Sequence, residues 1–221
     1  KTGRRTDGWI TAGNDANAEI AVASTRLRNR ARDLVRNNPF AAKAVVTYAS
    51  SMVGSGIRPR PKADSKNLDA KVTSLWEEFS NQCDTDGCTN FYGLQTLMVR
   101  SMVESGECLL HMINRPTSFG LAVPLQLRVL EADHLDVSRD RSLPGGGFIQ
   151  QGIEFDASGS RVAYWLYPQH PGSSNITTKT VSVRIPASDI IHLFDRRRPG
   201  QNRGVTWFAP ALLRMRDLDD Y

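Results

Sequence analysis

The chain has 221 residues, 40% hydrophobic and 23% charged, with a formal net charge of +5. That length suits one domain burying roughly 70% of its unfolded surface, so no outside staple is needed. Cys83, Cys88 and Cys108 are an odd number with no CxxC pair, and no signal peptide precedes them, which reads as reduced thiols in a cytosolic setting.

The longest mainly apolar stretch, Ala41 to Val53, contains Lys43 and is too short to span a bilayer, so a soluble protein with no membrane partner is expected. Charge is unevenly spread. Residues 1–62 carry 12 Lys/Arg against 4 Asp/Glu, whereas residues 63–221 carry 16 against 19. A basic N-terminal third suits nucleic acid or any acidic partner, because charge raises encounter rate without naming the target.

Residues 1–18 show no apolar period and are expected to form an extended or disordered arm, with Trp9 and Ile10 as possible anchors. From Glu19 a helical period places Ile20, Leu27, Ala31 and Leu34 on one face. Arg26 and Arg30 fall on one flank and Arg28, Arg32 and Arg36 on the other, a broad basic surface. Asn38 caps a second helix whose first residue is Pro39. With one charge in PFAAKAVVTYASSMV, this helix is expected to be buried nearly all round.

Gly54 and Gly56 release an extended IRPRPK segment, and a third helix is predicted over 67–79 with Leu68, Val72, Leu75, Trp76 and Phe79 on one face. Asn90 caps a fourth, Phe91 to Ser105, stopped by Gly106.

Past Gly106 the period changes to two. ECLLHMIN is apolar on both faces and predicts a central strand. LQLRVLE places Leu125, Leu127 and Val129 inward with Gln126 and Arg128 outward. QGIEFDASGSRVAYWLY predicts a hairpin about Asp156 to Ser160, and TVSVRI and DIIHLF add two strands. A closing helix over TWFAPALLRMRDLDDY keeps its period to Leu218 with no stop signal, so a fragment of a longer protein is expected. Helices first, strands second and a last helix predict an α+β fold with N-terminal helices on a mostly antiparallel or mixed sheet.

Sites for chemistry are sparse. CDTDGC starts like a calcium loop, but its glycine comes two positions early and Gln95 stands where a bidentate glutamate is needed, so a tight acidic turn at Gly87 is expected. LPGGGF leads into a strand, unlike a phosphate loop. Glu131, Asp133, His134 and Asp136 read as a solvated strand end more readily than a metal site, and His111 and His192 as core histidines. No nucleophile has a base at a recognisable spacing. The expectation is no enzyme, no cofactor and no metal. FDRRRPGQNRGVTWFAP is the strongest remaining feature: Arg196, Arg197, Arg198 and Arg203 read as an exposed basic loop. Intramolecular pairing with Asp195 or Asp189 is the alternative.

Five blocks in order, GRRTDGW, LRNRARDLVRNNPFAAKAVVTYASSMVGSGIRP, CDTDGCTNFYGLQTLMVRSMVESGE, QGIEFDASGSRVAYWLYPQHPG and RRRPGQNRGVTWFAPALLRMRDLDDY, resemble the portal proteins of lambda-type tailed bacteriophages. The resemblance implies a subunit of the ring at one capsid vertex, dodecameric when full length, through which double-stranded DNA is packaged and ejected. Its implied partners are the terminase large subunit, the major capsid or scaffold protein, a head–tail connector and DNA without sequence specificity. Its implied location is the virion, after assembly in the bacterial cytoplasm. Residues 19–221 are similar to the outer wing region, with clip, channel and crown absent. Candidate contacts to a subunit, a partner or the DNA backbone are Arg26, Arg28, Arg30, Arg32, Arg36, Arg196, Arg197, Arg198 and Arg203. The rival reading is a stand-alone basic nucleic-acid-binding module that uses the same arginines on phosphates.

Overall fold

The computed structural model describes residues 13–62, 65–174 and 181–219. Residues 1–12 of the expected arm, Trp9 and Ile10 among them, lie outside that set. Helix α1, Ala16–Asn37, starts three residues ahead of its apolar period because Asp15 caps it, accepting from the Ala18 N–H at 2.8 Å. Helix α2, Pro39–Val53, follows at once, capped by Asn38 at Ala41. Helix α3, Lys66–Gln82, is capped by Ser65, and α4, Phe91–Ser105, by Asn90, which accepts from the Tyr92 and Gly93 N–H groups.

The strands are antiparallel and fall into two sheets. β1, Glu107–Asn114, is the centre of the first, flanked by β2, Leu125–Glu131, and β8, Ile190–Phe194. The second runs β3, Arg141–Ser142, β4, Phe148–Gln150, β5, Ile153–Phe155, β6, Arg161–Leu166, and β7, Val183–Pro186, in that order. The hairpin between β5 and β6 turns over Asp156 to Ser160 as expected, with the Asp156 carboxylate accepting from the Ser158 and Ser160 N–H groups. A short helix, α5, Leu212–Asp219, closes the described chain. The architecture is α+β.

Why β1 is apolar on both sides is now evident. Successive side chains leave a strand on opposite faces. Leu109 packs toward the second sheet with Leu130, Ile153, Tyr164 and Leu166, while Leu110 packs toward α3 and α4 with Phe79 and Leu94. The three-stranded sheet is therefore the middle of three layers. A separate helical core joins α1, α2, α4 and α5, and Ala31, Ala41 and Ala49, all 2% exposed or less, let its helices approach closely.

Two expectations need correction. α2 buries only Ala41, Val45, Ala49 and Val53, and leaves Phe40, Val46, Tyr48 and Met52 between 45 and 64% exposed. Gln126, expected outward, is buried, because its amide accepts from Arg115 Nε at 2.8 Å and donates to the carbonyls of Gln82 and Asp84. The amide stitches β2 to the end of α3, a use that a period-two reading cannot anticipate.

Gly106 ends α4 with φ +93°, and a Cβ there would meet the backbone of Val205 and Thr206. Gly87, at φ +64°, has nothing within 4 Å of its hypothetical Cβ. Replacing Gly87 by Ala is expected to cost about 1 kcal/mol for conformation alone. Gly106→Ala is expected to cost ~3 kcal/mol or more, since the backbones must also separate. Urea denaturation of the two variants checks this, and equal losses would remove the contact argument.

Candidate contact site and its buried charge cluster

The nine arginines singled out from sequence divide sharply. Arg28 and Arg203 lie in the interior, 4% and 1% exposed. Arg203, expected in an exposed loop, turns inward and forms a two-point pair with Glu107, Nη2 to Oε1 at 2.6 Å and Nε to Oε2 at 3.0 Å. The Gly204 N–H adds a bond to Oε2 at 2.8 Å, and His192 Nε2 lies 3.0 Å from the same oxygen. Glu107 itself is wholly buried at the start of β1.

Arg28 extends the cluster from α1. Its Nη1 is 3.7 Å from Glu107 and its Nε 3.3 Å from Asp133. Arg32, one turn on, reaches Asp133 at 2.7 Å, Glu131 at 3.0 Å and the Ser105 hydroxyl at 3.1 Å. Charges thus alternate in sign from the interior at Glu107 through Arg28, Asp133 and Arg32 to the half-exposed Glu131. This arrangement satisfies each charge with opposite neighbours on different elements, the condition under which buried ions are tolerated.

Burial works against ionisation of Glu107, but Arg203 and His192 outweigh it and hold the carboxyl far below the ordinary carboxylate range. Asp133 is lowered likewise, burial being overcome by Arg28 and Arg32. Burial also lowers the His192 pKa against the pull of Glu107. With Arg203 and Arg28 already facing the carboxylate, the ring is neutral near pH 7, and Nε2–H donates to Glu107.

The remaining arginines lie outside. Arg36 pairs with Asp33 at 3.6 Å and Arg197 with Asp195 at 2.8 Å. Arg198 grips the start of α1, reaching Glu19 at 2.9 Å and the Asn14 carbonyl at 3.1 Å. Such exposed pairs contribute little to stability. Gln201, buried beneath this loop, accepts from the Arg197 and Arg198 N–H groups and donates to the carbonyls of Asp195 and Arg203. Arg26, Arg30 and Arg196 are exposed with no ion pair among the described residues, and of the nine they are the ones open to an outside partner.

The acidic strand end predicted from Glu131, Asp133, His134 and Asp136 does not form one cluster. His134 bonds through Nδ1 to the Tyr167 carbonyl at 2.8 Å. Asp136 accepts from Ser138, Ser182, Tyr167 and Arg139; these bonds overcome its burial and hold its pKa at about 2. Glu131 and Asp133 instead meet His170, a grouping with the spacing of a cation site. Two features argue against that use. His170 Nδ1 accepts the Gly172 N–H at 3.0 Å, which places the neutral ring's proton on Nε2, the atom facing Glu131. Arg32 already supplies the positive charge between the carboxylates. In the CDTDGC loop, Asp84 spends its carboxylate on the N–H groups of Asp86, Cys88 and Thr89, as a tight turn should.

Sequence reasoning named His192 and Arg28 but missed Glu107 altogether. The available signal was a glutamate opening a strand that is otherwise apolar on both faces.

A family model described as "Phage portal protein, lambda family" matches residues 2–221. The chain is 27% identical to a probable portal protein of Halomonas phage phiHAP-1, covering 99% of this chain and 44% of that protein. It is 25% identical to portal protein B of Escherichia phage lambda and to the portal protein of Escherichia phage N15, in each case over 96% of this chain and 42% and 43% of the relative. The chain spans less than half the length of these curated relatives. No helix among the described residues is long and apolar enough to cross a membrane.

Two measurements probe the cluster. Glu107→Gln is expected to cost 3–5 kcal/mol, because Arg203 and Arg28 keep their charges without the partner. Acid should destabilise the fold in two stages. His192, lowered when folded, takes up its proton in the unfolded chain first, so stability begins to fall as pH drops below about 6.5. Glu107 and Asp133, also lowered, contribute stability that is fully present above about pH 4.5 and is lost as pH falls further toward their folded values. Urea midpoints between pH 8 and pH 3 follow both stages, and His192→Phe is expected to reduce the first, the rest of which comes from His134 and His111, also lowered by burial.

Proposed function

Because the chain belongs to the lambda family of phage portal proteins, we propose that it forms the outer, wing-like part of a subunit that assembles into a dodecameric ring at one capsid vertex. Double-stranded DNA is packaged and later ejected through that ring. The wing includes all of helix α1 from Ala16, so residues 16–18 of the expected arm belong to the body. The subunit acts as a structural conduit with no reaction of its own. It docks the terminase large subunit, the major capsid or scaffold protein and a head–tail connector, in the virion after assembly in the host cytoplasm.

The observation that carries this reading is the family match along almost the whole chain. The geometry supports it in a second way: the charged constellation that an enzyme would use for catalysis is spent on internal pairing between layers. Of nine candidate arginines, two are buried and four paired, leaving Arg26, Arg30 and Arg196 for a partner. Duplex binding that rests on phosphate neutralisation grows with the number of free cations. Of the arginines that the DNA-module reading relies on, three are left open, enough for the rim of a protein contact; other exposed cations, among them Arg58, Arg60 and Lys62, lie on a different segment.

Negative-stain electron microscopy of the intact subunit is expected to show closed rings. Monomers that bind duplex with a steep salt dependence would instead establish the DNA-module reading. Reversing Arg26 and Arg30 to Glu is expected to change stability by less than about 0.5 kcal/mol per site while sharply reducing ring yield. An unchanged yield removes these two residues from the contact.

A further inference from the structure

Helix α3 has little support among the described residues. From Ser65 to Leu75 no residue is buried. The helix is held at its C-terminal end, where Trp76 and Phe79 meet Phe91 with ring centroids 4.9 and 6.2 Å apart. Yet Leu68, Val72 and Leu75 continue the stripe that Phe79 ends, at spacings of four, three and four, and they are 48, 41 and 37% exposed. In a protein most of a helix's stability comes from packing of its amphipathic face. An apolar stripe on a helix marks the face that a neighbour covers.

A groove of about 620 Å³ between α1 and α5 has the complementary character. Leu27, Leu34 and Leu212 form its floor, Arg30 and Arg216 stand on its rim, and Leu213, 72% exposed, lies at its lip. Charge also matches. The open cations lining the groove are Arg30 and Arg216, while α3 carries Asp69, Glu77 and Glu78 against Lys66 and Lys71.

Among the described residues the two features do not meet within one copy. α3 rests on Phe91 at the start of α4, whereas Phe208 and Leu212 pack against Val99 and Val103 in its second half. The 15 residues of α4 span about 22 Å, and no α3 residue lines the groove.

We propose that the apolar stripe of α3 docks in the α1/α5 groove of a second copy of this chain. Because the two surfaces differ, the contact is head-to-tail and repeats from copy to copy, closing into a ring when the rotation allows. The inference rests on the ring reading above and names a contact within it.

The test uses the intact subunit with the exposed Cys88 changed to Ser, leaving the buried Cys83 and Cys108 in place. Val72→Cys and Leu213→Cys are introduced singly and together at these exposed positions, followed by a short bis-maleimide. The double variant is expected to give a ladder of three or more linked subunits on a denaturing gel, and each single variant none. A double variant that gives only dimers, or no product, overturns the contact. Microscopy of the same samples reports on the ring separately. Rings without a ladder overturn this contact and leave the ring reading standing, whereas a ladder without closed rings supports the contact and overturns that reading. Val72→Asp, at an exposed site, is expected to keep its thermal melt and lose self-association; undiminished association overturns the proposal.

Discussion

A single buried carboxylate organises this molecule. Glu107 opens the central strand at a point where the helical layer and both sheets meet, with no exposure to water. A charge so placed costs several kcal/mol unless it is paired and hydrogen-bonded. The partners come from three separate elements: Arg28 from α1, His192 from β8, and Arg203 with the Gly204 N–H from the segment before α5. Each must be in place for the others to be neutralised. The cluster ties these elements together, and the arginine-rich segment must turn inward after Arg198 to deliver Arg203. Gln201 completes the turn by satisfying four backbone groups that the bend would otherwise strand.

Much of the fold was legible locally. Asn38, Asn90 and Gly106 mark helix ends, and the boundaries of α2, α4, β1 and β2 coincide with those read from caps and period. The order of helices and strands gave the α+β class. The fates of individual polar residues were less legible, because burial of a charge depends on partners remote in sequence. Arg203 meets Glu107 across 96 positions and Arg32 meets Asp133 across 101. No periodicity reports such a pairing. Arg28 lies on the flank of the apolar stripe of α1, where solvent and interior are equally compatible with the pattern. For α2 the error ran the other way. A near absence of charge suggested full burial, but α2 packs on one face through Ala41, Val45, Ala49 and Val53 and turns Phe40, Val46, Tyr48 and Met52 outward, and apolar composition alone does not imply an interior position.

The candidate contact residues illustrate the same point. A run of three arginines suggests a single electropositive feature, yet Arg196 is open, Arg197 pairs with Asp195 next door, and Arg198 crosses to α1. Basic composition describes what a face can attract; pairing decides what remains to attract it. Of the nine arginines, the remainder is Arg26, Arg30 and Arg196, and Arg30 lines the groove at α5 together with Arg216, so charge and exposed apolar surface coincide there.

A buried ionic cluster is weak evidence for stability, since apolar residues of the same volume often do as well. Its more plausible use in this fold is orientation, because the ions accept one arrangement of α1 against the sheets and penalise the others. That has a geometric consequence for a head-to-tail contact. In such an assembly the angle between the two contacting faces of one subunit is repeated at each step, and an error that a two-fold dimer would tolerate prevents a ring from closing. α3 reaches the body through Phe91 of α4, and the groove is built on α1; the pairing of Arg28 and Arg32 with Glu107, Asp133 and Ser105 fixes α1 to the end of α4 and the start of β1. The interior charges therefore hold constant the relation between the two surfaces whose mutual angle would decide closure of the proposed ring.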